Sequence, residues 1–296
     1  MKHAILGAGA IGGLVGAALA SLGEDVTMVV RPKKLPSYPA TLLLERPSGS
    51  GTLTAPAKAV AALTETVDVL WIATKTYQLQ TALEAVQQVP SRMVPLLNGV
   101  DHVAVLRERF GRERVAPATI AVEAERRASG RFIQRSPFVR FNLAVTLQPL
   151  LGNIIAKLGN LGFTCQFIAN EQTLLWGKLC FLAPIALATS ASGKNVGEIL
   201  ADAVWKQKLT SAVAEACAVA NASGAQVDAA PILTAIGSVP PGMRSSMQKD
   251  VAAGRELELD AIGGPIMRGG EQYGIDVATT ADLMSEIRSK ERVISA

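Results

Sequence analysis

The sequence predicts an α/β protein in two parts: a doubly wound parallel-sheet domain over residues 1–169, followed by an all-helical domain over 170–296. Three observations carry this. A strand pattern, a glycine-rich turn and a helix pattern follow one another at the N-terminus. Short apolar runs then continue the alternation as far as Ile168. Beyond Asn170 long helical patterns take over.

The first run, His3 to Leu6, reads as a buried strand. Gly7, Gly9 and Gly12 follow in G-x-G-x-x-G order, with Ala8, Ala10 and Ile11 between them. A helical pattern runs to Leu22, and a second strand is expected from Asp25 to Val30. In this setting the first glycine makes the tight turn. The second lets backbone approach a pyrophosphate, and the third lets helix and strand pack closely. The phosphates would lie on the helix N-terminus, in a Rossmann dinucleotide-binding domain. At the end of the second strand a carboxylate would bind the ribose hydroxyl of NAD. Arg31 stands there instead, followed by Pro32, Lys33 and Lys34, which suits the 2′-phosphate of NADP.

Residues 67–75 (VDVLWIATK) form a near-continuous apolar run, as a buried parallel strand should, and end in Lys75 on the ligand-binding side of such sheets. RMVPLLNGVDH places another strand before Asn98-Gly99, whose plain reading is a turn. RVAPATIAVEAER, GRFIQRSPFVRFNLA and NLGFTCQFI read as further strands. In the second part Asn170 fits a helix N-cap, with Glu171 in the first turn. Helices are expected over Glu171 to Thr189, Ala201 to Ser223, Ser245 to Ile262 and Ile266 to Tyr273. Gly193, Gly224, Pro240-Pro241 and Gly263-Gly264-Pro265 punctuate them.

Composition narrows the function. Hydrophobic residues are 49% of the chain and charged residues 18%, ample for a core. Aromatics are 4% and the net charge is +4, with no dense basic run, so no nucleic-acid partner is expected. Cys165, Cys180 and Cys217 form no CxxC, and His3 and His102 are the two histidines. Reduced thiols and no structural zinc follow. The apolar run from Leu179 to Ala191 is shorter than a membrane span and holds Pro184. A cytoplasmic protein without a membrane partner is expected. The apolar helices of the second half fit a homodimer face or internal core equally.

Lys178 stands alone as a charge within LLWGKLCFLAPIALAT. It either sends its amine to water or faces a site where burial lowers its pKa. Here the chain resembles the ketopantoate reductase family, which reduces 2-dehydropantoate to pantoate with NADPH on the route to pantothenate. GAGAIGG, NGV at 98–100, LWGKL at 175–179 and SSMQKDVAAGRELELD at 245–260 carry the resemblance over nearly the whole chain. The resemblance implies roles. Arg31 would meet the 2′-phosphate, and Lys75 would be a second phosphate-proximal lysine. Asn98 would lie at the nicotinamide and substrate, and the backbone at Ala124 would touch the cofactor. Lys178 would be the catalytic acid, Ser246 would hold the substrate carboxylate, and Glu258 would be the cofactor-side carboxylate near the lysine. Where the family carries asparagines four and eight residues after the lysine, this chain has Leu182 and Ala186.

Reduction of a ketone yields an alkoxide that needs a proton and electrostatic stabilisation. Lys178 is the natural donor, since neither histidine is well placed. In one continuous helix Ser246 and Glu258 would point about 120° apart, so serving one site requires an interruption near Gly254 or flanking on two sides. Three functions remain: an NADPH-dependent 2-dehydropantoate reductase, a related reductase of a more apolar 2-oxo acid, and a non-catalytic NADP-binding sensor.

Overall fold

A computed structural model describes residues 1–47 and 49–294. The chain divides into two compact units, Met1–Leu97 with His102–Ala169, and Asn98–Asp101 with Asn170 onwards.

The first unit opens with β1 (Lys2–Leu6), α1 (Ala10–Ser21) and β2 (Asp25–Val29). It continues through β3 (Thr41–Glu45), β4 (Thr52–Pro56), β5 (Lys58–Val60), β6 (Val69–Ile72), α2 (Leu79–Leu83), β7 (Arg92–Pro95) and α3 (His102–Phe110). It closes with β8 (Ala118–Ala121), β9 (Ala124–Ala128), β10 (Arg131–Gln134), β11 (Val139–Ala144), α4 (Gln148–Asn160) and β12 (Phe163–Ile168). The main sheet has the order β5-β2-β1-β6-β7, every pair parallel. All four residues of β6 are buried, which explains their unbroken apolar character. Two smaller sheets, β4-β3-β10-β9 and β12-β11-β8, complete the unit. The strands β3, β4 and β5 and the helices α2, α3 and α4 are not among the elements expected from the sequence.

The second unit is helical: α5 (Glu171–Ser192), α6 (Val196–Ala201), α7 (Ala203–Ala222), α8 (Ala229–Gly237), α9 (Ser246–Ala252), α10 (Leu259–Tyr273) and α11 (Ala278–Ile294). Asn170 caps α5, its side chain accepting from the Thr173 amide at 2.9 Å. The helix runs 22 residues, so by length and composition it is long enough to cross a membrane, unlike the shorter run read from the sequence. Most of that length is buried in the core of this unit.

The helix expected over Ala201 to Ser223 is α7, which begins at Ala203 because Asp202 caps it, accepting from the Val204 and Trp205 amides. Three other expectations need correction. The helix expected over Ser245 to Ile262 is two. Gly254 takes the left-handed conformation (φ +59°), and Glu258 is the residue before α10. Gly263-Gly264-Pro265 ends no helix: α10 runs through it, and Gly263 instead lets the Met284 sulfur approach within 2.5 Å of where a Cβ would stand. Residues 98–101, expected within the first domain, pack in the second unit, where Gly99 lies against the backbone of Ala261.

Candidate active site

Two groups of predicted residues take shape, one in each unit. In the first, β1 delivers the chain to Gly7 at φ +103°, where a Cβ would stand 2.8 Å from the Ala73 backbone. At Gly12 a Cβ would meet the Gly7 carbonyl at 2.1 Å. At Gly13, which the motif reading did not single out, it would meet the Phe132 ring at 2.0 Å. These glycines are required by packing. Gly9 differs: nothing lies within 4 Å of its Cβ position, so the space before the loop is open.

Ala8 completes this turn, and Ala10, Ile11 and Gly12 begin α1. The helix has Gly9 as N-cap, no side-chain cap and no acidic residue in its first turn. The free amides and the helix dipole there favour an anion. The loop therefore fits the pyrophosphate of a dinucleotide. Arg31 follows β2, is exposed, and opens a 3₁₀ turn over Pro32–Ser37. Lys75, half-buried, follows β6 and precedes a second such turn, Thr76–Gln78. Ala124 opens β9. Two residues along the same strand, Arg126 donates from Nη1 to the Ala8 carbonyl at 3.4 Å. Sequence reasoning missed Arg126, although alternation along a strand puts it on the same face as Ala124.

In the second unit Lys178, Asn98 and Glu258 come together. Lys178 Nζ donates to Asn98 Oδ1 at 3.1 Å. Asn98 Nδ2 donates to Glu258 Oε2 at 3.2 Å. The turn that presents Asn98 depends on Gly99, at φ +83°, whose missing Cβ leaves room for the Ala261 carbonyl. Glu258 is 5% exposed and is delivered by the break at Gly254. Burial lowers the Lys178 amine to about 8, against the opposing pull of the Glu258 carboxylate. An amine so placed can give or take a proton near neutral pH and can stabilise a developing oxyanion.

Other predicted residues stand apart from this trio. Ser246 is exposed in the first turn of α9 and makes no hydrogen bond to it. The neighbouring Ser245 is buried, caps α9 through the Gln248 amide at 3.0 Å, and shares a 2.8 Å hydrogen bond with Thr189. Leu182 is half-buried one turn beyond Lys178, while Ala186 lies in the core at 1% exposure. His3 and His102 are buried in the first unit.

Comparison with known proteins gives these features a context. Residues 3–145 match the family model of ketopantoate reductase PanE/ApbA, and residues 170–291 match that of its C-terminal part. The chain belongs to the ketopantoate reductase family. Its members are oxidoreductases acting on CH–OH groups, and so is this protein. It is 32% identical over 291 residues to a 2-dehydropantoate 2-reductase of Caulobacter vibrioides, with 95% of each chain covered. It is 28% identical over 273 residues to YkpB of Bacillus subtilis, an uncharacterized oxidoreductase, with 89% of this chain and 90% of YkpB covered. A PanE/ApbA family ketopantoate reductase from Ralstonia eutropha has the same fold over the whole of both chains, with TM-score 0.86 and 25% identity. A D-mandelate dehydrogenase solved with NADH and anilino(oxo)acetate shares the fold over the whole of both chains, with TM-score 0.85 and 21% identity.

Proposed function

We propose that this protein reduces 2-dehydropantoate to pantoate, with NADP(H) as its cofactor and Lys178 as the proton donor. The observation that carries the reading is the amine of Lys178, held by Asn98, opposed by Glu258 and lowered by burial to about 8.

The division of labour follows from the two groups of residues. The loop from Gly7 to Gly12 and the first turn of α1 hold the pyrophosphate. Arg31 binds the 2′-phosphate, and Lys75 and Arg126 add positive charge near the phosphates. The backbone at Ala124 and the side chain of Asn98 complete the contacts to the cofactor, and Ser246 takes the substrate carboxylate. When bound, NADPH supplies the hydride. Lys178 in its ammonium form polarises the keto oxygen, stabilises the negative charge that develops there, and passes its proton to that oxygen. Asn98 fixes the direction of the amine. Glu258 favours its charged form, so the proton is present at physiological pH.

The test is NADPH oxidation by the purified protein with 2-dehydropantoate beside a panel of other 2-oxo acids, for wild type and Lys178→Ala. Selective turnover of 2-dehydropantoate, lost in Lys178→Ala, is the expected result. One observation favours a second reading. Leu182, one turn beyond Lys178, is apolar where the family resemblance leads one to expect an asparagine, which suits a more apolar 2-oxo acid. Preference for such a panel member would decide for it. Binding of NADPH without turnover of any 2-oxo acid would mark a sensor instead.

A further inference from the structure

We propose that Arg268 is a positioning residue for the reaction: it clamps the Asn98–Asp101 turn to the start of α10 and so holds Asn98 and Glu258 in register with Lys178. The proposal rests on the reading of Lys178 as the proton donor.

Arg268 lies on the third turn of α10 and reaches back toward its N-terminus. Nη1 donates to Asp260 Oδ1 at 2.9 Å, and Nη2 donates to Asp101 Oδ2 at 2.5 Å. Asp260 is two residues after Glu258, and Asp101 is three residues after Asn98. One guanidinium thus joins the two chain segments that supply both neighbours of Lys178.

The backbone is shaped to allow this. At Gly264, beneath the bridge, a Cβ would stand 2.5 Å from Asp260 Oδ1 and 2.6 Å from Arg268 Nη2. Any larger residue there would displace the clamp. At Gly99, inside the clamped turn, a Cβ would stand 2.2 Å from the Ala261 carbonyl. Pro265 has no N–H to offer that carbonyl from one turn onward in α10. The turn therefore seats where the helix lacks an internal donor.

The ion pairs are half exposed or more, so they add little to global stability. Their effect is local, on the placement of a small turn that carries Asn98. The charged groups acting on Arg268 are Asp101 and Asp260, while Arg288 shares the shallow cavity beside it. The charged group acting on Lys178 is Glu258.

The experiment compares wild type, Arg268→Ala, Arg268→Lys, Asp101→Asn and Lys178→Ala for kcat, KM and the pH profile of keto-acid reduction, with melting temperatures alongside. Arg268→Ala is expected to lower kcat by about tenfold or more, as loss of reacting geometry does. It should also move the alkaline limb of the profile to lower pH, because a loosened Glu258 supports the ammonium less. KM for NADPH and the melting temperature should change little. Asp101→Asn should show the same pattern more weakly, and Arg268→Lys should recover part of the loss. An unchanged kcat and alkaline limb in Arg268→Ala would overturn the proposal. A loss of activity that follows the melting temperature and leaves the limb in place would overturn it too. Full activity of Lys178→Ala would instead overturn the proton-donor reading, and the clamp's role with it.

Discussion

Lys178 and Asn98 are eighty residues apart in sequence, yet the amine of one donates to the amide oxygen of the other at 3.1 Å. Asn98 turns its own NH₂ to Glu258. The asparagine is thus the central member of the trio and spaces a cation from a carboxylate. Direct contact between the two would hold the proton on the lysine more tightly and slow its transfer.

Removing the amine should therefore separate chemistry from binding. Lys178→Ala is expected to lower kcat by about 10²–10⁴-fold, the usual worth of a positioned acid. Its affinity for NADPH, read by fluorescence titration, should stay close to wild type. Asn98→Ala should lower kcat less. An unchanged kcat in Lys178→Ala would remove it as the donor.

The pH profile carries a sign. Burial places the Lys178 amine at about 8, below an ordinary lysine. Reduction needs the ammonium, so its rate should be level below about 8 and fall as pH rises through it. Oxidation of the hydroxy acid needs the free amine and should rise through the same range. Glu258→Gln, without the carboxylate that supports the charge, should move both limbs to lower pH. Initial rates across pH in both directions check this.

The glycines of the first loop should divide by variant. Gly13→Ala puts a Cβ into the Phe132 ring and should cost about 1–3 kcal/mol of stability by overpacking. Gly9→Ala meets no protein atom, so the fold should keep its melting temperature while NADPH binding weakens. Arg31→Ala, at an exposed position, should also leave the fold intact and weaken NADPH far more than NADH. Equal weakening of both cofactors would exclude the 2′-phosphate role.

His3 predicts a loss of stability in acid. It is fully buried in β1, accepts from Trp71 Nε1 at 3.2 Å, and lies 3.5 Å from the Glu24 carboxylate. Burial holds its pKa below 6.5, although Glu24 pulls the other way. The unfolded chain binds a proton near 6.5 that the folded chain refuses, so stability should fall as pH drops below that value. Above it this contribution is level. Urea midpoints followed by circular dichroism from pH 7.5 to 5 should show the slope, and His3→Asn should flatten it.

Much of this protein is legible along the chain because the information is local. The G-x-G-x-x-G turn, the apolar VLWI strand and the Asn170 cap each depend on neighbours a few residues away, and they lie where their patterns put them. LWGKL singles out its lysine in the same way. What the periodicity did not reveal were features set by distant contacts. The strands β3 and β4 are stabilised by pairing with each other, and β3 also by pairing with β10, not by a strong pattern of their own. The helix breaks at Gly254 rather than at Gly263-Gly264-Pro265. A proline and two glycines are tolerated in α10 where Met284 and the Arg268 bridge need the space a side chain would fill. The environment of Lys178 belongs to the same class. Its apolar neighbours are visible in the sequence, but its partnership with Asn98 arises only when the turn at 98–101 packs against α10. Hydrophobic period and turn chemistry are written residue by residue, whereas the placement of a proton-transfer group depends on atoms brought within about 3 Å from remote parts of the chain.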